Sequence, residues 1–547
     1  MGPQRARAGP HDPRPRLGLG SARGLGRPRR RPARARAGDR ARRGRPVGAG
    51  RAAGAAGPRP DAADGAGRWG PGGPVPGSRV PVQLRAGALG GPGLATERRP
   101  RGDATMTTIE NANPSADHAT VFVILDAGRS DYVREDAMPF LHGLSRTGYR
   151  GSFESPPGFA QRTTMFSGRY PDTSGNFSQF VFAPERSPFD WVESLGPLGK
   201  LVRPRKVLAP TRWAIDWITA KKTGHFQTDP AWIPPEFMPY FAMCEDTQPV
   251  FEDGALGAPS IFDLCREHGL AFRYLAHPVS GDDEEVFDTL VRELRQHAPY
   301  DLYLAQFSIT DEGGHEHGPF SDAMQQRFLR DVDAKLATIH ALLSTRYDSW
   351  DLFVVGDHGM APVEQRVDVL SALAETEAEP AEDYVVFVNS TLAVLWYLTP
   401  KGRKAIRAKL PEIEGARVLD EDERRDRRIP TEERWGQDML AAESGVLFWP
   451  DYFHVRDSTV RGMHGYLDKS DEGLGMAVLA SSDPVVEPRE ADPRSLVDVF
   501  ATLCGLLGLP VPDTQEGTSL LDRARREPPV AEPEQEPPEP EQVVSDG

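Results

Sequence analysis

Six side chains in this sequence are of the types that bind divalent cations. They are Asp126, Asp311, Asp357, His315, His358 and His464. Each Asp stands just past an apolar run. His315 follows Asp311 by four residues, His358 follows Asp357 directly, and His464 lies in Arg461-Gly-Met-His464-Gly-Tyr466. Three carboxylates and three imidazoles offer mixed O/N ligation, enough for two borderline metal ions. Zinc suits such a set best, with manganese or iron also compatible. A lone Asp after a strand is commonly a turn or cap residue. Asp311 with His315 could equally be a loop hinged on Gly313 and Gly314.

These residues need elements that converge. Ala119–Leu125 is continuous and β-branched, so it reads as a buried strand ending at Asp126. Asp301–Ile309 and Asp351–Val355 read the same way and end at Asp311 and at Gly356-Asp357-His358-Gly359. Between them, Phe328, Leu329, Val332, Leu336, Ile339, Leu342 and Leu343 recur at helical spacing within 322–347. Strand, helix, strand is the pattern of a parallel sheet, so the expected fold is α/β with a doubly wound, mostly parallel sheet. A further strand is expected at Gly475–Ser481 and a helix at Pro493–Leu507, with Asp492 as N-cap and Gly508 as C-terminal stop. Ligands in such folds bind beyond the carboxyl ends of the strands, where the acids stand.

Two stretches, about 176–259 and 361–460, are too long to be plain connections and are expected to cap that edge. The first carries 12 aromatics between Phe177 and Phe241, with cations from Lys200 to Lys222. Aromatic faces beside cations suit a base, a sugar or an apolar phosphoester; the plainer reading is a small core of the cap's own.

The formal net charge of −15 joins two unlike parts. Residues 1–105 hold 23 Arg, no Lys and 6 acids, a net of +17, and lack Ile, Phe, Tyr, Asn and Cys. Such a segment cannot build a core. Its bias toward residues with GC-rich codons suggests a mis-assigned start, with Met106 as the true one. A disordered or transit-like tail and a basic nucleic-acid arm are the other readings. Residues 106–526 are the expected catalytic domain. Residues 527–547, rich in Pro and Glu, are expected to be a disordered tail. Residues 106–547 together carry −32, which opposes nucleic-acid binding. No apolar run is long enough for a membrane span. Cys244, Cys265 and Cys504 have neither metal-ligand spacing nor a disulfide framework, so a reducing, cytoplasmic setting is expected.

The ordered set of motifs resembles the alkaline phosphatase superfamily, and within it the type I phosphodiesterase/nucleotide pyrophosphatase branch. The carrying segments are Val123-Ile-Leu-Asp126-Ala-Gly-Arg-Ser-Asp131, Thr164-Met-Phe-Ser-Gly-Arg-Tyr-Pro-Asp-Thr-Ser-Gly175, Asp311-Glu-Gly-Gly-His315, Gly356-Asp357-His358-Gly359 and His464-Gly-Tyr466. The resemblance implies one metal on Asp311, His315 and His464 and another on Asp126, Asp357 and His358. It also implies a small phosphate ester as substrate, nucleotide or sugar-linked, cleaved at a phosphodiester or pyrophosphate bond. A phosphomonoesterase or phosphonate hydrolase on the same scaffold is the nearest alternative.

One position departs from the family. Its nucleophilic Thr or Ser stands ten residues before the Gly of a Thr/Ser-Gly pair; here that place is Gly158. Thr163, Thr164 and Ser155 are the neighbouring hydroxyls and the remaining nucleophile candidates. Arg162 is a candidate phosphate clamp and Asn176 a candidate donor to a phosphoryl oxygen. The missing hydroxyl also keeps open a catalytically weak protein that binds metal and a phospho-ligand.

Overall fold

A computed structural model describes residues 117–195, 205–225, 232–244, 247–454, 459–467 and 471–522. The Arg-rich segment 1–105 and the tail 527–547 lie outside the described residues, as do Lys200, Arg203 and Phe226.

Strand His118–Leu125 lies in the middle of the main sheet. It pairs in parallel with Leu302–Phe307 on one side and Ser349–Gly356 on the other. Phe272–Leu275 extends the parallel set beyond Leu302–Phe307. Leu474–Ser481 runs antiparallel between Ser349–Gly356 and Tyr149–Glu154. The sheet is therefore mostly parallel, as expected.

Alternate residues of the central strand feed two separate cores. Val121, Val123 and Leu125 pack with Leu290, Val332, Leu336 and Ile339 on one face. Phe122 and Ile124 pack with Phe166, Phe262, Phe500 and Leu503 on the other. Helices cover both faces, which makes the sheet doubly wound. Local signals start these helices. Asp282 and Glu285 form a reciprocal capping box at the start of Asp283–Arg295, and Ser260 and Asp263 do the same for Ile261–Glu267.

Three boundaries differ from the sequence reading. The second strand stops at Phe307, and Ile309–His317 is a helix, not a hinged loop. The helix expected within 322–347 opens with a π turn, Met324–Phe328, before Leu329–Arg346. The last helix is Asp498–Leu507, so Asp492 is not its N-cap. Arg494–Ser495 instead pairs beside Tyr149–Glu154. Gly508 does end that helix, in the left-handed conformation at φ 67°.

The two long stretches build one core together. From the second come Tyr384–Asn389, Leu392–Tyr397, Asp438–Ala442 and Ala416–Leu419, an antiparallel sheet in that order. From the first come Phe180–Phe182 and Phe241–Met243, a two-stranded ribbon. Phe387 of the sheet meets Phe180 and Phe241 of the ribbon at ring distances of 5.6 and 5.5 Å, and Trp396 stacks on Phe182 at 5.4 Å. Phe177, Phe180, Phe189, Phe237 and Phe241 are all buried there. These aromatics serve packing, the plainer of the two readings. Among the described residues no helix is long and apolar enough to cross a membrane.

Candidate active site

Strand register sets the first two carboxylates. Leu125 is level with Phe307 on one side and Gly356 on the other, so Asp126 and Asp357 leave neighbouring strands at one height. The backbone then holds Asp357. Its Oδ1 accepts from the N–H of Ala127 at 3.1 Å and of His358 at 3.0 Å. Aiming that N–H puts Ala127 at φ 53°, a conformation that costs a residue with a Cβ on the order of 1 kcal/mol. Asp126 Oδ2 accepts from Gln306 Nε2 at 3.1 Å.

Asp311 lies in the first turn of Ile309–His317, and the helical repeat brings His315 over it. His315 Nε2 stands 3.2 Å from Asp311 Oδ1. Its Nδ1 lies 2.8 Å from the Gly462 carbonyl, to which only an N–H can donate, so Nε2 carries the lone pair. His464 Nε2 approaches the same Asp311 oxygen at 3.6 Å. His358 Nδ1 is fixed on the Gly359 carbonyl at 2.9 Å, and its Nε2 lies 3.4 Å from Asp126 and 3.6 Å from Asp357.

The structure thus brings all six sequence-predicted donors together. Donor atoms of Asp126, Asp357 and His358 lie within 4.8 Å of one another, and so do those of Asp311, His358 and His464. His358 belongs to both groups, and His315 joins through Asp311. Asp311 Oδ1 and His464 Nδ1 are buried without an aligned hydrogen bond. Buried polar atoms seldom stay unsatisfied. The Nε2 atoms of His315 and His464 both approach the unsatisfied Asp311 oxygen, an arrangement of O and N donors that a divalent cation fits.

The electrostatics carry the same tension. Burial alone would raise Asp311, but His315, His464 and His358 outweigh it and hold the carboxyl well below its usual range. Burial pushes Asp357 up, with the Asp126 charge adding to it and His358 opposing. Burial would lower His358, yet Asp357, Asp126 and Asp311 raise it. His464 is driven well down, by burial first and then by His358.

The approach to Gly158 is built differently. Gly158 sits at φ +99°, and a Cβ placed there would lie 2.2 Å from the Phe177 carbonyl oxygen. That carbonyl accepts from Phe159 N at 2.9 Å, which pins the close approach. No side chain fits at 158 without moving this backbone. Helix Gln161–Ser167 begins just beyond. Thr163 is fully buried, and its Oγ1 accepts from Asn176 Nδ2 at 3.1 Å. Thr164 is buried as well. Among the described residues, Ser155 Oγ reaches the neighbouring Pro156 carbonyl, at 3.4 Å. Arg162, Thr163 and Asn176 share a cleft wall with Thr247 and Gln248. The residue that Gly158 does deliver to the cluster is Phe159, whose ring lies 5.7 Å from that of His464 and 6.4 Å from that of Phe453.

His454 has no motif to mark it in the sequence, yet its ring lies 5.6 Å from that of His315. The signal that could have found it is Asp451, three residues earlier, with which it pairs at 2.7 Å. His317 packs on Phe328 at 5.4 Å.

The family model for type I phosphodiesterase / nucleotide pyrophosphatase matches residues 120–467. Among solved structures, murine ectonucleotide pyrophosphatase/phosphodiesterase 5 superposes with a TM-score of 0.51 at 16% identity, covering 73% of this chain and 97% of that one. The human protein of the same name gives 0.53 at 14% identity, covering 74% and 100%. An inactive variant of the murine protein in complex with AMP gives 0.51 at 15% identity, covering 74% and 98%. At these identities the likeness is one of fold. A comparison with curated protein sequences gives no match.

Proposed function

We propose that this chain, which belongs to the type I phosphodiesterase/nucleotide pyrophosphatase family and is a hydrolase of that kind, uses its Asp/His cluster as a two-metal site. Its substrates would be small phosphodiesters or pyrophosphates, nucleotides among them. The observation that carries the reading is the convergence of six donor residues at one sheet edge, with the buried Asp311 Oδ1 unsatisfied among them.

Asp126, Asp357 and His358 would hold one ion; Asp311, His315 and His464 would hold the other. When bound, two divalent ions supply positive charge to the phosphoryl oxygens and to the attacking oxygen. The chain's own work is orientation. Gln306 turns Asp126, two backbone N–H groups turn Asp357, and two carbonyls fix the ring nitrogens of His315 and His358. The rings of Phe159 and Phe453 line the His464 side.

The test is turnover of a bis-aryl phosphate with added zinc or manganese. Activity should appear with metal, vanish in chelator, and exceed that on the mono-aryl ester. A mono-aryl preference favours a phosphomonoesterase. Tight zinc binding with no turnover on any ester favours the catalytically weak binding protein that Gly158 keeps in view.

A further inference from the structure

Two observations, on separate parts of the chain, concern the oxygen that attacks phosphorus. The first is steric. Position 158 cannot carry a hydroxyl side chain, because its Cβ would lie 2.2 Å from the Phe177 carbonyl oxygen. Of the neighbouring hydroxyls, Thr163 and Thr164 are buried in the helix that follows, and Ser155 Oγ, three residues before Gly158, is turned to the Pro156 carbonyl at 3.4 Å.

The second is the Asp451–His454 pair in the cap. Asp451 is fully buried. Its Oδ1 accepts from the backbone N–H of Phe453 at 3.1 Å and of His454 at 2.7 Å, which is enough to make the turn. Its Oδ2 does something else. It accepts from Ser390 Oγ at 2.9 Å and from His454 Nδ1 at 2.7 Å. A carboxylate can only accept here, so Nδ1 carries a proton, and in the neutral ring Nε2 presents a lone pair. The ring so fixed stands edge-to-face against His315. The neighbouring Phe453 stacks near Phe159, which packs against His464. The 451–454 turn therefore brings an oriented acceptor beside the metal-donor cluster.

We propose that hydrolysis in this chain is a single displacement by water, and that His454, held by Asp451, is a catalytic residue that accepts a hydrogen bond from that water. The inference rests on the hydrolase reading above. The water oxygen forms the new bond to phosphorus. The ester P–O bond breaks, its electron pair leaves with the ester oxygen, and the proton lost by water ends on that oxygen. No covalent enzyme intermediate forms.

The test uses the full chain, loaded with zinc, and a phosphorothioate diester chiral at phosphorus. Inversion of configuration is the expected result; retention, the mark of two displacements, overturns the proposal. His454→Ala should lower kcat by roughly 10²-fold, with KM and zinc content nearly unchanged. His454→Gln should recover part of the rate, because its amide oxygen can accept from a similar place. Unchanged kcat in His454→Ala overturns the assignment. So does a loss that tracks lost zinc, since that marks a structural role. Failure of the wild type on every phosphate ester would sink the hydrolase reading itself and this inference with it; retention or an indifferent His454→Ala sinks only the inference.

Discussion

The sheet edge and the cap both reach the Asp/His cluster, but by different physics. At the edge, hydrogen-bonded register places Asp126 and Asp357 at one height on adjacent parallel strands. In the cap, an aromatic core holds strands whose connecting turns carry Asp451, Phe453 and His454 inward. The edge positions donors rigidly through the main chain. The cap positions side chains through packing and one buried carboxylate. The difference separates two jobs: the edge would bind cations, and the cap would shape what happens to the substrate.

That division can be broken most sharply at the edge. Asp357→Ala should cost several kcal/mol of transition-state stabilisation, a loss of about 10³-fold in kcat/KM. It should also lose one of two bound ions by elemental analysis. Near-normal activity in this variant would end the assignment of Asp357. In the cap, Phe387→Ala removes a buried ring that meets Phe180 and Phe241. It should destabilise by about 3–5 kcal/mol in denaturant unfolding. At temperatures where it stays folded, it should still bind metal at the edge. Loss of metal in the folded variant would show that the two regions are not separable.

Gly158→Ala lies between the regions. It forces a Cβ into φ +99° and against the Phe177 carbonyl. It should cost more than about 1 kcal/mol, read as a lower Tm. Gly158→Thr should show the same defect and gain no activity; a gain would mean that the approach can rearrange to take a nucleophile. The smallest effect is expected at the surface. Arg428 pairs with Asp172 and Glu516 at 2.7 and 2.6 Å, all three partly exposed. Arg428→Ala should cost no more than about 1 kcal/mol, and less in high salt.

The edge was legible in the sequence for a physical reason. Buried parallel strands read as unbroken apolar runs, and residues just past them are brought together by the fold class itself. Asp126, Asp357 and the partner helix Leu329–Arg346 follow from that pattern. Asp311 and His315 read equally well as a loop, because Gly313 and Gly314 look like breakers. In the structure those glycines are buried against Phe328 and Met360, where a Cβ would collide, so small size rather than flexibility explains them. The start of the last helix was misplaced because Asp492-Pro493 carries cap chemistry, whereas pairing of Arg494–Ser495 with the sheet overrides it. His454 was hidden for a different reason. Its meaning depends on a ring far away in sequence and on a carboxylate in an irregular turn, and neither leaves a periodic trace.

The cluster at the sheet edge is proposed to hold two ions. Anomalous diffraction at the zinc edge, from crystals grown with zinc, tests it most directly. Two peaks are expected, one among Asp126, Asp357 and His358 and one among Asp311, His315 and His464. A map with no peak there, or with a single ion shared through His358, would contradict it.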